Sequence, residues 1–159
     1  MNIFILDEDF ELNAQYHCDK HVVKMITEQT QLLASAYYFT DYVQKDIYKL
    51  THANHPCAKW ARESLSNWLW LREATYALCA EYTYRYGREH ACLSKVRQYE
   101  IPHLCDIGLT PFAEAMPDQY KTANAITAYR DYYNGEKQHL FAWKYRQEPY
   151  WIERKSKLI

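Results

Sequence analysis

The residues best suited to chemistry crowd into one run, His17-Cys18-Asp19-Lys20-His21 through Lys24 to Glu28. Imidazoles change charge near neutral pH, a carboxylate stabilises a developing positive charge or takes a proton, and an ammonium holds an anion. Placed on a helix at about 100° per residue, His17, His21, Lys24, Glu28, Gln31 and Ser35 form one narrow polar stripe. His21 and Glu28 are seven residues apart, about 20° short of two full turns, so they share a line with Lys24 between them. Beside the stripe runs an apolar arc of Cys18, Val22, Met25, Ile26, Leu32, Leu33, Ala36 and Tyr37. An ordinary solvated face also carries such residues, and Lys24 with Glu28 is a spacing that gives a pair worth a few tenths of a kcal/mol. Two histidines and the uncharged Gln31 and Ser35 set this stripe apart from a lysine- and glutamate-rich surface.

Other constellations are weaker. His17 and His21 have the i,i+4 spacing of a metal clamp, and His52, His55 and Cys57 could add ligands. No H-E-x-x-H, cysteine pair or acidic triad accompanies them, so neither metal nor cofactor is expected. No G-x-S-x-G is present. Three glycines in the whole chain leave no Gly-rich phosphate loop. The tail from Trp143 onward interleaves Lys144, Arg146, Arg154, Lys155 and Lys157 with Tyr145, Tyr150 and Trp151, a pattern that offers phosphate contacts and stacking faces together.

The elements that must position these groups are helices. Apolar positions recur at helical spacing from about Leu12 or Tyr16 to Tyr38, and again from Pro56 to about Tyr86, with Gly87 as the stop. Asn54 and His55 precede Pro56, and Arg62, Ser66 and Asn67 lie off the second helix's apolar line, so Asn54, His55, Arg62 and Asn67 join the candidate ligand contacts. A helix broken at Pro102 is expected over 89–109. An irregular proline-containing stretch should follow, and then a last helix from Asn124 to about Trp143. Met1–Leu6 reads as a short apolar extended arm. The expected fold is therefore a mainly α, compact single-domain helical bundle over 1–159.

Composition agrees with that class. Hydrophobic residues make up 48% and charged residues 25% of the 159, enough for one real core. No apolar run approaches the roughly 18 residues that span a bilayer, and the five scattered cysteines look like reduced thiols. A cytoplasmic protein without membrane contact is expected. The formal net charge of −1 requires any nucleic-acid surface to be a local one.

Two segments resemble a known family. D-K-H-V-V-K-M-I-T-E is similar to the D-x-H-x(6)-E helix of the phage pyrimidine-dimer DNA glycosylases of the endonuclease V type, small all-α enzymes. Y-R-D-Y-Y-N-G-E-K, Tyr129 to Lys137, resembles that family's aromatic segment near the C-terminus. The resemblance implies a glycosylase and abasic-site lyase. The chain's α-amine, on Met1, would form a Schiff base with C1′ of a damaged nucleotide, Glu28 would act as the carboxylate, and His21 would contact DNA beside the lesion. An α-amine that titrates near 8 keeps a neutral fraction for attack. Tyr129 and Lys137, at the ends of the second segment, become candidate DNA contacts with it, and His17 and Lys24 are candidate ligand or DNA contacts from their place on the polar stripe. The chain departs from the family at Asn2, where the family carries a threonine exposed by loss of the initiator methionine, and in its near-neutral charge. Two other readings stand beside it: a protein that binds a nucleotide or cyclic dinucleotide without catalysis, and an enzyme that modifies a base or nucleotide.

Overall fold

A computed structural model describes residues 1–154, and within them the chain is helical with no strand. The expected first long helix is two. Helix α1 (Phe10–Tyr16) opens on Asp9, whose carboxylate accepts the Leu12 N–H, and α2 (Asp19–Ala36) restarts after His17 and Cys18 adopt extended backbone. Local propensity does not make this break. The buried Arg85 guanidinium takes the carbonyls of Gln15 (2.9 Å) and His17 (2.9 Å), while the Asp19 N–H pairs with the Ala142 carbonyl (2.8 Å). These partners replace the helical bonds the kink gives up.

The second expected helix is also two. Pro56 opens α3 (Pro56–Glu63), with the His55 ring accepting the Cys57 N–H, and α4 (Leu65–Tyr86) ends on Gly87 at φ 70, a left-handed cap suited to glycine. Between them Ser64 is extended because Asp106 supplies the cap from across the chain. One carboxylate oxygen accepts from the Ser64 hydroxyl and from the Ser66 N–H and hydroxyl. Helix α5 (Cys92–Gln98) stops before Pro102, and the stretch after it is irregular. Helix α6 (Ala125–Glu136) is capped by Asn124, and it ends well short of the expected Trp143. Gly135 lies in its last turn because the Tyr120 hydroxyl crosses the position a Cβ would fill.

The core lies where α2 packs against α4, with α1 and α3 closing its sides. Every residue of the α2 apolar arc is buried. The arm contributes as much: Ile3, Phe4, Ile5 and Leu6 are each at most 2% exposed. Four consecutive buried apolar side chains need contacts on all sides, and each stabilises the fold by about 2 kcal/mol. The Leu6 N–H goes to the Asn13 side chain (2.7 Å), and its carbonyl accepts from Arg130 (2.8 Å). Residues Ile3 to Leu6 therefore lie inside the bundle.

Candidate functional site

The polar stripe of α2 is a covered seam. Phe4 of the arm stacks on His21 with ring centroids 4.6 Å apart, and Tyr132 of α6 lies parallel to the same phenyl ring at 6.0 Å. At the other end of the seam, the Ser35 hydroxyl is buried against Thr51. Between these ends the Asn2 N–H faces a Glu28 carboxylate oxygen at 3.5 Å. The Glu28 side chain is 15% exposed, while that of Lys24, 3.9 Å from it, is 66% exposed. A mostly covered carboxylate thus lies one peptide unit from the Met1 amine, with an exposed ammonium at its rim.

His55 belongs to this junction. Its half-buried ring accepts the Cys57 N–H (3.0 Å). Burial lowers its pKa first, the Met1 amine and His52 lower it further, and Glu28 opposes them. Cys57 senses the same neighbours. Burial pushes its thiol up to about 11, with the Met1 amine pulling down and Glu28 pushing up. The thiol stays protonated and donates toward the Asn2 side-chain oxygen (3.6 Å). The Asn2 amide nitrogen donates to the Ala115 carbonyl (2.9 Å).

His21 has a different character from the one its sequence position implies. It is 4% exposed, and its Nδ1 lies 2.6 Å from the Tyr133 hydroxyl. Burial, followed by repulsion from His17 when it is protonated and from Lys137, Lys24 and His139, pushes its pKa down to about 3. It is a neutral ring at physiological pH, stacked and hydrogen-bonded, and it does not present a cation to DNA. Lys137, whose ammonium sits 4.9 Å over the Tyr132 ring, is the cation on this flank.

Several expected contacts lie elsewhere. His17 is fully buried, its Nδ1 donates to the Asn13 carbonyl (2.6 Å), and desolvation pushes its pKa down to about 4. It ends the α1–α2 kink and cannot touch a ligand. Asn67 is also fully buried, where its amide ties the Trp60 carbonyl and Thr110 to α4. The off-line position that suggested solvent exposure reflects this polar tie. Tyr129 is buried between the Ala113 carbonyl (2.5 Å) and the Ala115 N–H (3.2 Å), so it supports the junction from behind. Arg62 is two turns along α3 from His55. Its guanidinium donates to the Ala53 carbonyl (2.7 Å) and covers the Phe39 ring at 3.7 Å. With Pro56, Lys59, Trp60 and Leu104 it lines an open cavity of about 630 Å³ that begins one residue from His55. Asn54 is exposed in the turn before that helix.

Among the described residues, both arginines of the basic tail are paired within the chain. Arg146 makes two bonds to Glu81 (3.0 and 3.1 Å), Arg154 pairs with Glu148 (2.6 Å), and Lys144 lies over the rings of Tyr86 and Tyr145. Lys155 and Lys157 lie outside the described residues. Among the described residues no group of three His, Cys, Asp or Glu side chains is placed to hold a metal ion, and no helix is long and apolar enough to cross a membrane.

In the sequence Cys57 stands out only as a possible metal ligand, Asn2 only as a departure from the family pattern and Tyr132 only as part of the aromatic segment. Phe4 is one apolar residue of the arm, and nothing in the sequence brings these four together. Only the unbroken apolar run of the arm hints that the chain start is buried. The chain matches no family model, no curated protein and no solved structure.

Proposed function

We propose that this protein is a DNA glycosylase and abasic-site lyase acting on damaged pyrimidines through an amine at the chain start and the Glu28 carboxylate. The observation that carries the reading is the buried arm, which brings residue 2 within 3.5 Å of Glu28. Buried Ile3 to Leu6 hold residue 2 beside a covered carboxylate, which would give an amine on residue 1 and its electrostatic partner a fixed separation.

The chemistry follows from those two groups. The neutral α-amine adds to C1′ as the glycosidic bond breaks and the base leaves with the bonding electrons and a proton. The nitrogen lone pair then opens the C1′–O4′ bond, O4′ takes a proton from water, and the protonated imine that remains is stabilised by Glu28. Loss of the C2′ proton to a carboxylate or water then expels the 3′-phosphate by β-elimination, and water releases the sugar and restores the amine. Lys24 and Lys137, whose charges both act on His21, would supply the contacts to the backbone phosphates. A damaged base unstacks at lower cost than a paired one, which favours such a site.

The test is borohydride trapping on duplex DNA carrying an abasic site or a pyrimidine dimer, after intact-mass measurement of the first residue. A covalent adduct that is lost with Glu28→Gln, or on acylation of the α-amine, is expected. A second reading, a nucleotide-binding protein without catalysis, draws on the charge. The net charge is −1, and Arg85, Arg130, Arg146 and Arg154 are each held by a carboxylate. A small anion needs fewer free cations than a duplex does. No adduct together with saturable binding of a mononucleotide or cyclic dinucleotide would select it.

A further inference from the structure

We propose that Asn2 is a positioning residue, clamped by α2, α3 and the 113–115 segment so that the chain-start amine is held beside Glu28. The inference rests on the reading of that amine as the nucleophile. Three separate contacts converge on this one residue: its main-chain N–H on Glu28 (3.5 Å), its side-chain oxygen under the Cys57 thiol (3.6 Å), and its amide nitrogen on the Ala115 carbonyl (2.9 Å).

The two side-chain anchors are themselves fixed. Ala115 gives its N–H to the Tyr129 hydroxyl (3.2 Å), which donates onward to Ala113 (2.5 Å). Cys57 is the second residue of α3, and its N–H is taken by the His55 ring (3.0 Å). The residue that holds the arm to α3 is thereby also the one that orients His55. Downstream, Ile3 to Leu6 are buried and cannot slide. A primary amide suits this position because it presents a donor and an acceptor in different directions on a short stem. Aspartate keeps only the acceptor, and leucine of similar size keeps neither. Displacing a nucleophile by about 1 Å costs on the order of 100-fold in rate, so loss of the clamp should lower the chemical step and leave DNA affinity alone.

The experiment compares the full-length protein with Asn2→Leu, Asn2→Asp and Cys57→Ala, each checked by intact mass for the same first residue. Single-turnover borohydride trapping is measured over a range of concentrations of abasic-site duplex. In parallel, acylation of the α-amine by a succinimidyl ester is followed by mass spectrometry of the N-terminal peptide without DNA. For Asn2→Leu we expect a maximal trapping rate at least tenfold lower, a half-saturating DNA concentration within twofold of wild type, and an acylation rate at least threefold higher. Asn2→Asp and Cys57→Ala should fall between. Trapping at the wild-type rate, or a change confined to the half-saturating concentration, overturns the proposal. If the unaltered protein forms no adduct, acylation alone decides. A threefold rise in Asn2→Leu keeps the clamp while the repair reading falls, and equal acylation rates overturn the clamp. Should Asn2→Leu fail to fold, Cys57→Ala carries the same criteria.

Discussion

Two regions of this chain carry the residue types of a working surface, and they put them to opposite uses. The tail holds arginine, lysine, tyrosine and tryptophan in the pattern of a nucleic-acid contact. Its Arg146 is nonetheless locked onto the buried Glu81, Arg154 onto Glu148, and Tyr145 takes a positive φ of 60 as the chain turns back across α4. The junction of Met1, Asn2, Glu28 and His55 has fewer charges, and they are not matched in this way. Among the described residues Glu28 makes one ion pair, a loose one at 3.9 Å to the exposed Lys24. Charge already matched within the chain is not free for a ligand, whereas charge that is covered but incompletely paired is available for chemistry. Residue type does not distinguish the two regions, and pairing does.

The largest effect that could break this comparison is at Glu28. Glu28→Gln keeps the shape and one acceptor, so unfolding free energy should change by less than about 1 kcal/mol. The trapping rate on abasic-site DNA should fall by about 100- to 1,000-fold. A variant that traps normally would place Glu28 with the structural carboxylates. The converse test is Arg85→Met. Arg85 is fully buried and bridges Asp19 (3.0 Å) and Glu81 (2.7 Å) while holding the α1–α2 kink. Its loss leaves two carboxylates short of a partner and should cost about 3 kcal/mol in urea unfolding, toward the low end because Arg146 still holds Glu81.

Acid sharpens the distinction further. His17 and His21 are neutral in the fold, with pKa values pushed down to about 4 and about 3, while in the unfolded chain they titrate near 6.5. Protons therefore bind the unfolded chain first as pH drops. The stability these two rings contribute is complete above about pH 6.5 and is lost on the way down toward pH 4. At pH 4.5 the loss should be on the order of 2 kcal/mol for each ring, measured by urea unfolding at pH 7 and pH 4.5. In His17→Asn, which keeps a donor for the Asn13 carbonyl, the pH dependence should be shallower by about that amount. An unchanged slope would mean that His17 is not the desolvated neutral ring described above.

How far the sequence foretold this arrangement depended on how local each cause is. The apolar arc of α2, the Pro56 start, the Gly87 stop and the Asn124 cap are set by residues within one turn, and the structure follows all of them. Both unforeseen helix breaks have remote causes: Arg85 captures carbonyls at the α1–α2 kink from 68 and 70 residues away, and Asp106 caps α4 at Ser66 from 40 residues away. Glu28, Lys24 and His21 did fall on one line, as helical spacing required. Exposure did not follow from spacing, because the arm that covers the line comes from outside the helix. The burial of His17 and Asn67 escaped the pattern for the same reason, since a polar side chain off the apolar line can be satisfied in the core by backbone groups that periodicity does not register.

The smallest predicted effect concerns which cations meet a phosphate backbone. Each phosphate contact contributes about 0.9 to the slope of log binding constant against log salt on duplex DNA. Lys24 is 66% exposed with only a 3.9 Å partner, so Lys24→Gln should lower that slope by about one. Lys144→Gln combined with Arg154→Gln removes two tail cations. One is shared between the Tyr86 and Tyr145 rings and the other is neutralised by Glu148. The double variant should therefore change the slope by less than one and the unfolding free energy by no more than about 0.5 kcal/mol, as for exposed pairs generally. A slope that falls by about two in the tail variant and stays unchanged in Lys24→Gln would reverse the assignment. The paired tail would then be the surface that grips DNA, with Glu148 releasing Arg154 on binding, and the junction on α2 would lose its claim to the substrate.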